Sequence, residues 1–172
     1  ALGTDDTRGG EAVVSGMYGR AALSLGQFHY ETDGFRDNND LDHDIFDVLA
    51  QVELTETVTL QAEYRRRDTD QGDRSLNFDP DSFEPHKREN LEQDIWRLGT
   101  VWRPRPGIGF LVSAMAADEE DVENNAFFEP DFPDIGDSSK FVERRDSRQL
   151  EAQAFLGDRR QRLVVGGGLY DT

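Results

Sequence analysis

The chain has no cysteine, no surplus of basic residues and no long apolar run. The lack of cysteine excludes disulfide staples and thiolate metal sites. With 36 acidic against 19 basic residues and a net charge of −17, the chain lacks the basic field that nucleic acid needs, so no nucleic-acid partner is expected. Because no apolar run reaches about 18 residues, no transmembrane helix is predicted. No signal peptide is visible at Ala1, so we expect a mature, trimmed or internal piece of a protein.

What the chain does have is alternation of apolar and polar residues, which predicts β-strands because successive side chains point to opposite faces. A barrel strand needs only about 9–11 such residues to cross a membrane, so the mean hydropathy of −0.74 does not exclude one. The predicted strands cover about 15–32, 44–54, 58–67, 92–103, 108–117, 147–156 and 162–170. Residues 1–14 are expected to be flexible or a partial strand, and 15–172 to form one β segment.

The connections between these strands alternate between tight and long. Tight joints are predicted at Thr55–Thr57, Arg103–Gly107 and Gly157–Arg160, and long acidic loops near 33–43, 68–91 and 118–146. Short turns at one end and long loops at the other are typical of bacterial outer-membrane barrels. We therefore predict an all-β fold, an antiparallel up-and-down meander that forms part of a transmembrane β-barrel. About seven strands is an odd number for such barrels, so either the segment is open or residues 1–14 hold an eighth strand.

Each predicted strand has an apolar and a polar face. Six residues at about 3.3 Å each place Trp96 and Trp102 about 20 Å apart, close to the height of an outer-membrane apolar band with its aromatic rims. The alternative for both tryptophans is a soluble core. The residues predicted to face lipid are Phe46, Val48, Tyr64, Trp96, Leu98, Trp102 and Phe110. The residues predicted to line a lumen are Asp47, Gln51, Glu53, Gln61, Glu63, Arg65, Arg67, Arg97, Arg103 and Glu151. There they would either tune selectivity or form a plain salt-bridge ladder.

Two strand-to-loop stretches, Tyr30–Asp40 and Gln61–Asp73, resemble those of Gram-negative outer-membrane barrels, most closely the barrel region of TonB-dependent-receptor-like proteins. The resemblance implies location in the bacterial outer membrane and contact with its lipid. It also implies an unknown small-molecule ligand, and the rest of a barrel or a plug domain as further partners. No plug domain precedes the strands and no terminal aromatic strand closes the chain, which favours an internal fragment.

One loop is rich in oxygen ligands. Calcium takes six to eight oxygen ligands, and Asp37, Asn39, Asp40 and Asp42 could supply some of them. The spacing does not fit an EF-hand, because Gly and Glu are missing from the required positions. A solvated acidic loop without any cofactor is the default interpretation.

The sequence predicts transport or reception rather than chemistry. His29, His43 and His86 are scattered, and no motif nominates a catalytic pair among the many carboxylates. We expect passive or receptor-type uptake of a ligand across the outer membrane. The principal alternative is a soluble β-sandwich or open-sheet module that binds carbohydrate or protein, in which the apolar faces would pack together as a core. A secreted glycoside hydrolase is a more remote alternative.

Overall fold

The computed structural model describes residues 3–75, 83–129, 132–157 and 161–172, with only the backbone for 127–129 and 132–135. It is all-β, with eight strands in one antiparallel sheet whose spatial order follows the chain. The strands are β1 Arg8–Tyr18, β2 Ala21–Thr32, β3 Leu41–Thr55, β4 Val58–Gln71, β5 Arg88–Arg105, β6 Ile108–Glu129, β7 Phe132–Gly157 and β8 Arg162–Asp171. No helix in the described part of the chain is long and apolar enough to cross a membrane.

The prediction of a single first strand over about 15–32 is wrong, because the chain reverses within it. Gly19 has a φ of 60°, a left-handed conformation that glycine adopts without strain. A two-residue turn at Gly19 and Arg20 therefore separates β1 from β2, and Tyr18 pairs directly with Ala21. The N-terminal segment thus supplies the eighth strand, which the sequence left open as an alternative.

The long acidic loop predicted near 118–146 is instead a β-hairpin. β6 and β7 run on together well past the ends of the neighbouring strands, for 22 and 26 residues. Oppositely charged residues face each other across the two strands, with Glu119 opposite Arg145 and Glu120 opposite Arg144. Such cross-strand pairs stabilise a sheet, so the charged stretch continues the strands instead of breaking them.

The other connections follow the predicted alternation of short and long. The turns after β3 and β5 take two residues each, at 56–57 and 106–107, while the links after β2 and β4 span 33–40 and 72–87. The predicted turn at 157–160 lies mostly outside the described residues. All of the long links emerge at one end of the sheet, because each follows a strand that runs away from a short turn.

The sheet is a single layer without a hydrophobic core. None of the hydrophobic side chains that the structure describes is buried, and many large ones are exposed. No pairing between β1 and β8 occurs among the described residues, so the sheet is open, with these two strands at its edges. Because folding is stabilised mainly by burying apolar surface, the exposed apolar side chains require a partner of some kind.

Candidate functional site

The strand register sorts the side chains into two faces. Val48 lies opposite Tyr64, and Tyr64 lies opposite Trp96, so these side chains project from the same side of the sheet. The apolar face contains every residue predicted to contact lipid, namely Phe46, Val48, Tyr64, Trp96, Leu98, Trp102 and Phe110. The polar face contains every residue predicted to line a lumen, namely Asp47, Gln51, Glu53, Gln61, Glu63, Arg65, Arg67, Arg97, Arg103 and Glu151. The lumen and the lipid themselves stay predictions.

Aromatic pairs mark both margins of the apolar face. Tyr64 and Trp96 have ring centroids 4.3 Å apart, and Trp102 stacks on Phe110 at 5.3 Å. Trp96 and Trp102 are 55% and 48% exposed, so neither belongs to a core within the described residues. The two aromatic margins are separated by six residues, or about 20 Å along the strand, which is close to the roughly 25 Å height of an outer-membrane apolar band.

The apolar face ends abruptly in charge on the side of the long loops. The Tyr64 hydroxyl donates to Asp94 Oδ1 over 2.5 Å, so this ring has its apolar body in the band and its polar tip outside it. The next residue of β4 on this face is Arg66, two residues after Tyr64. Arg66 Nε contacts Asp68 at 2.9 Å, and Arg66 Nη2 contacts Glu92 of β5 at 3.0 Å. This charged margin limits the apolar band to the part of the sheet nearer the short turns.

Between its margins the apolar face forms a wide, open depression of about 1010 Å³. Small side chains such as Ala50, Ala62 and Ala114 alternate there with larger ones such as Leu23 and Leu98. Leu98 is 63% exposed, although it lies near the centre of the sheet. Acyl chains or another apolar surface would fit this depression. Leaving its apolar surface exposed to water would cost a large free energy.

The polar face contains a network of ion pairs. Arg97 Nη1 lies 2.8 Å from Glu63 Oε1, and Arg65 Nη2 lies 3.9 Å from Asp47 Oδ1. The density of charge on this face, opposite the apolar band, fits a surface that remains in contact with water.

Glu119 connects several strands within this network. It accepts from Arg145 Nη1 at 2.8 Å and from Gln93 Nε2 at 2.7 Å, and it lies 4.0 Å from Arg67 Nη2. The contact with Arg67 reaches from β6 to β4 across the whole width of β5, which indicates that the sheet curves toward the polar face. The carboxylate side chain is 18% exposed, so its partners largely enclose it.

Glycine makes room for charged side chains on this face. A Cβ on Gly26 would lie 2.5 Å from Asp47 Oδ2, because the Asp47 side chain lies across that glycine. On β8, a Cβ on Gly166 would lie 2.8 Å from the Gln153 side chain, and one on Gly168 would lie 3.1 Å from Glu151. Glycine at positions 166 and 168 of the last strand therefore allows polar side chains of β7 to lie flat on it.

At the short-turn end, the polar face opens into a cavity of about 980 Å³. Arg103, Arg105 and Arg162 line it together with the apolar side chains of Leu111 and Phe155. Three arginines therefore lie close together at this end of the sheet, where Glu56 also lines the cavity.

At the opposite end, the links 33–40 and 72–87 are joined by buried polar contacts. We name Arg36, Asn38, Asn39 and Asp73 the loop junction. The Arg36 and Asp73 side chains are 7% and 2% exposed, and Arg36 Nη2 donates to Asp73 Oδ2 over 3.2 Å. Asn39 Nδ2 donates to the Asp73 carbonyl at 2.7 Å, while Asn38 Nδ2 donates to the Glu84 carbonyl at 2.6 Å. The two links thus form one structured surface.

Asp73 is held ionised within the loop junction. Burial acts to raise its pKa, but hydrogen bonds from Ser75 and from the Glu84 amide, with the positive charge of Arg36, outweigh burial and lower the pKa to about 2. Its Oδ1 accepts from the Ser75 amide at 2.9 Å, and its Oδ2 accepts from the Glu84 amide at 3.0 Å.

The residues of the proposed calcium loop have separate surroundings. Asn39 belongs to the loop junction, and Asp40 forms an ion pair with Arg88 at 2.7 Å. Asp37 is exposed, and Asp42 lies on β3, where its carboxylate is near His29.

Sequence reasoning missed two parts of this site. The loop junction escaped it because Arg36 and Asp73 are 37 residues apart and only the fold brings them together. Glu119 and Arg145 were assigned to a loop because they lie in a charged stretch. The signal that could have found them is charge complementarity, since acidic residues at 118–121 are followed by Arg144 and Arg145 at hairpin spacing.

Comparison of the chain with protein-family models, with curated proteins and with solved structures finds no match.

Proposed function

We propose that the chain forms part of the wall of a bacterial outer-membrane β-barrel that takes up a small ligand, either passively or after capture by its long acidic loops. The observation that supports this most strongly is a single-layer sheet with one apolar face and one charged face. Lipid would cover the apolar face, and the charged face would line a water-filled interior.

The aromatic margins support the membrane part of the proposal. In a membrane, Trp96 with Tyr64 and Trp102 with Phe110 would lie at the two rims of the apolar band, where interfacial aromatic belts are enriched. Strands that extend past the charged margin toward the long loops would leave those loops in the aqueous medium outside the cell. The short turns would then face the periplasm, as in known barrels.

The polar face supports the transport part. Paired and partly exposed charges such as Arg97 with Glu63 would keep an aqueous interior hydrated and tune which solutes pass. A binding or transport role is proposed. The outer edges of β1 and β8, which pair with no further strand among the described residues, would join other strands of the same barrel, because open edges do not occur within hydrocarbon.

Two arginine substitutions on β3 test the membrane assignment. Val48 lies on the apolar face and Gln51 on the polar face. The full-length native protein and both variants would be fractionated and tested for a heat-dependent shift in gel mobility. We expect Val48→Arg to be depleted from the outer membrane, because arginine near the midplane on the lipid face costs about 2–4 kcal/mol, while Gln51→Arg assembles normally.

The same experiment separates the proposal from its alternative. Equal tolerance of arginine at both positions would contradict lipid contact. Recovery of the native protein as a soluble monomer without detergent would favour an open-sheet binding module. A two-sheet sandwich would need a second layer, and the described residues form one sheet.

A further inference from the structure

A compact group of metal-ligand side chains lies on β2 and β3, outside the charge network of the polar face. His29, Asp42 and Asp44 each offer one potential ligand atom, and these atoms all lie within 4.8 Å of one another. The register explains the convergence, because His29 is directly opposite Asp44 and Asp42 is the next residue along β3 on the same face.

The distances fit coordination of one small ion. His29 Nδ1 lies 3.2 Å from Asp44 Oδ1 and 3.7 Å from Asp42 Oδ1. Zinc binds nitrogen and carboxylate oxygen at about 2.0–2.2 Å, so tetrahedral geometry puts neighbouring ligand atoms about 3.4 Å apart. The two histidine–aspartate separations lie on either side of that value, and the two aspartate oxygens lie within 4.8 Å of each other, so one ion could contact all three atoms after side-chain rotations.

A third carboxylate, that of Glu31, lies near the other ring nitrogen of His29. Glu31 Oε2 lies 3.6 Å from His29 Nε2, the ring nitrogen that faces away from the aspartates. Ligating histidines commonly have a carboxylate at their other nitrogen, which fixes the tautomer and makes the ligating nitrogen more basic. Glu31 is itself held by Arg8 Nη1 at 3.4 Å.

We propose that His29, Asp42 and Asp44 form a binding site for a divalent transition metal ion, with zinc as the expected ion and Glu31 as the residue that positions His29. An imidazole with two carboxylates suits zinc and its neighbours, whereas calcium and magnesium prefer ligands that are all oxygen. The side chains are partly exposed, at 40% for His29 and 57% for Asp42, so the ion can enter from solvent. Water would complete the coordination.

This proposal does not depend on the proposed uptake function. The group lies beyond Phe46 along β3, on the loop side of the apolar band, and stays in contact with water whether that band meets lipid or protein. A failed metal test would therefore leave the membrane assignment intact, and a soluble protein could still bind the ion.

Isothermal titration of the purified native protein with zinc chloride tests the site, with metal content after dialysis as a second readout. We expect one saturable site per chain that a hundredfold excess of calcium does not displace. His29→Ala and Asp42→Asn should each abolish that site, and Glu31→Gln should weaken it by about 10–100-fold. Two separate ligand variants are used so that a folding defect in one of them cannot by itself explain the loss of zinc binding.

His43 provides the matched control, because it lies between the two aspartates on β3 but projects to the opposite face, where its Nδ1 contacts Thr69 Oγ1 at 2.8 Å. His43→Ala should bind zinc like the native chain. The proposal is overturned if zinc binding persists in His29→Ala, if calcium displaces the zinc, or if no saturable binding is found. The first two results would indicate diffuse binding to an acidic surface.

Discussion

Replacing Asp73 with asparagine removes one negative charge from the loop junction while keeping the shape of the side chain. The carboxylate is 2% exposed and accepts hydrogen bonds from two backbone amides beside Arg36. Its pKa lies at about 2 instead of the ordinary 3.8. At about 1.4 kcal/mol per tenfold change in equilibrium, that difference corresponds to about 2 kcal/mol in favour of the closed loops at neutral pH.

The pH dependence follows from the direction of the shift. Because the folded pKa is lower than the unfolded one, the contribution is fully present above about pH 4 and is lost as the pH falls from 3.8 toward 2. Asp73→Asn should therefore weaken the loops at neutral pH, and its difference from the native chain should shrink toward pH 2.

Hydrogen exchange of the Ser75 and Glu84 amides measures this opening directly. We expect exchange to be about 30-fold faster in Asp73→Asn at neutral pH, the equivalent of about 2 kcal/mol. Asp37→Asn removes the same charge from an exposed position in the neighbouring link and should change exchange by no more than about twofold. Equal effects of the two variants, or a difference that does not depend on pH, would refute the assigned role of Asp73.

Two further substitutions test the loop junction and the polar face. Gly72→Ala should loosen both loops, because its Cβ would lie 2.2 Å from a backbone oxygen of the other link, whereas Gly10→Ala has no atom within 4 Å and should leave hydrogen exchange unchanged. Glu119→Gln should shift the reversal potential of reconstituted channels toward anion selectivity, since it removes a negative charge that Arg67 and Arg145 share on the polar face. Glu120→Gln, whose side chain pairs with Arg144 on the other face, should not change the reversal potential.

The regular part of the fold could be predicted from the sequence because strand alternation is a local property. The apolar and polar faces followed from a period of two residues, and a hairpin was predicted wherever a short turn separated two such stretches, as at 56–57. The turn at Gly19 was missed because a lone glycine followed by arginine carries little turn signal, and alternation continues on both sides of it.

The candidate site depended more on contacts that are distant in sequence. Acidity alone predicted a loop over 118–146, yet Glu119 and Glu120 face Arg145 and Arg144 across a hairpin. Arg36 and Asp73 belong to different links, and His29 meets Asp42 and Asp44 only through the register of β2 and β3. Several of these side chains could be recognised as candidates from their residue type, but their partners could be identified only from the pairing of the strands.

Spin labels at Val112 and Ser113 would test the central claim, that the apolar face contacts lipid, most directly. The chain has no cysteine, so Val112→Cys and Ser113→Cys each give one labelling site, on opposite faces of β6. Each folded, labelled variant is reconstituted into vesicles. We expect the spin relaxation of the label at 112 to be accelerated by oxygen, which concentrates in hydrocarbon. The label at 113 should be relaxed by a water-soluble nickel complex. Equal access of the nickel complex to both labels, or access of neither reagent to the label at 112, would contradict lipid contact.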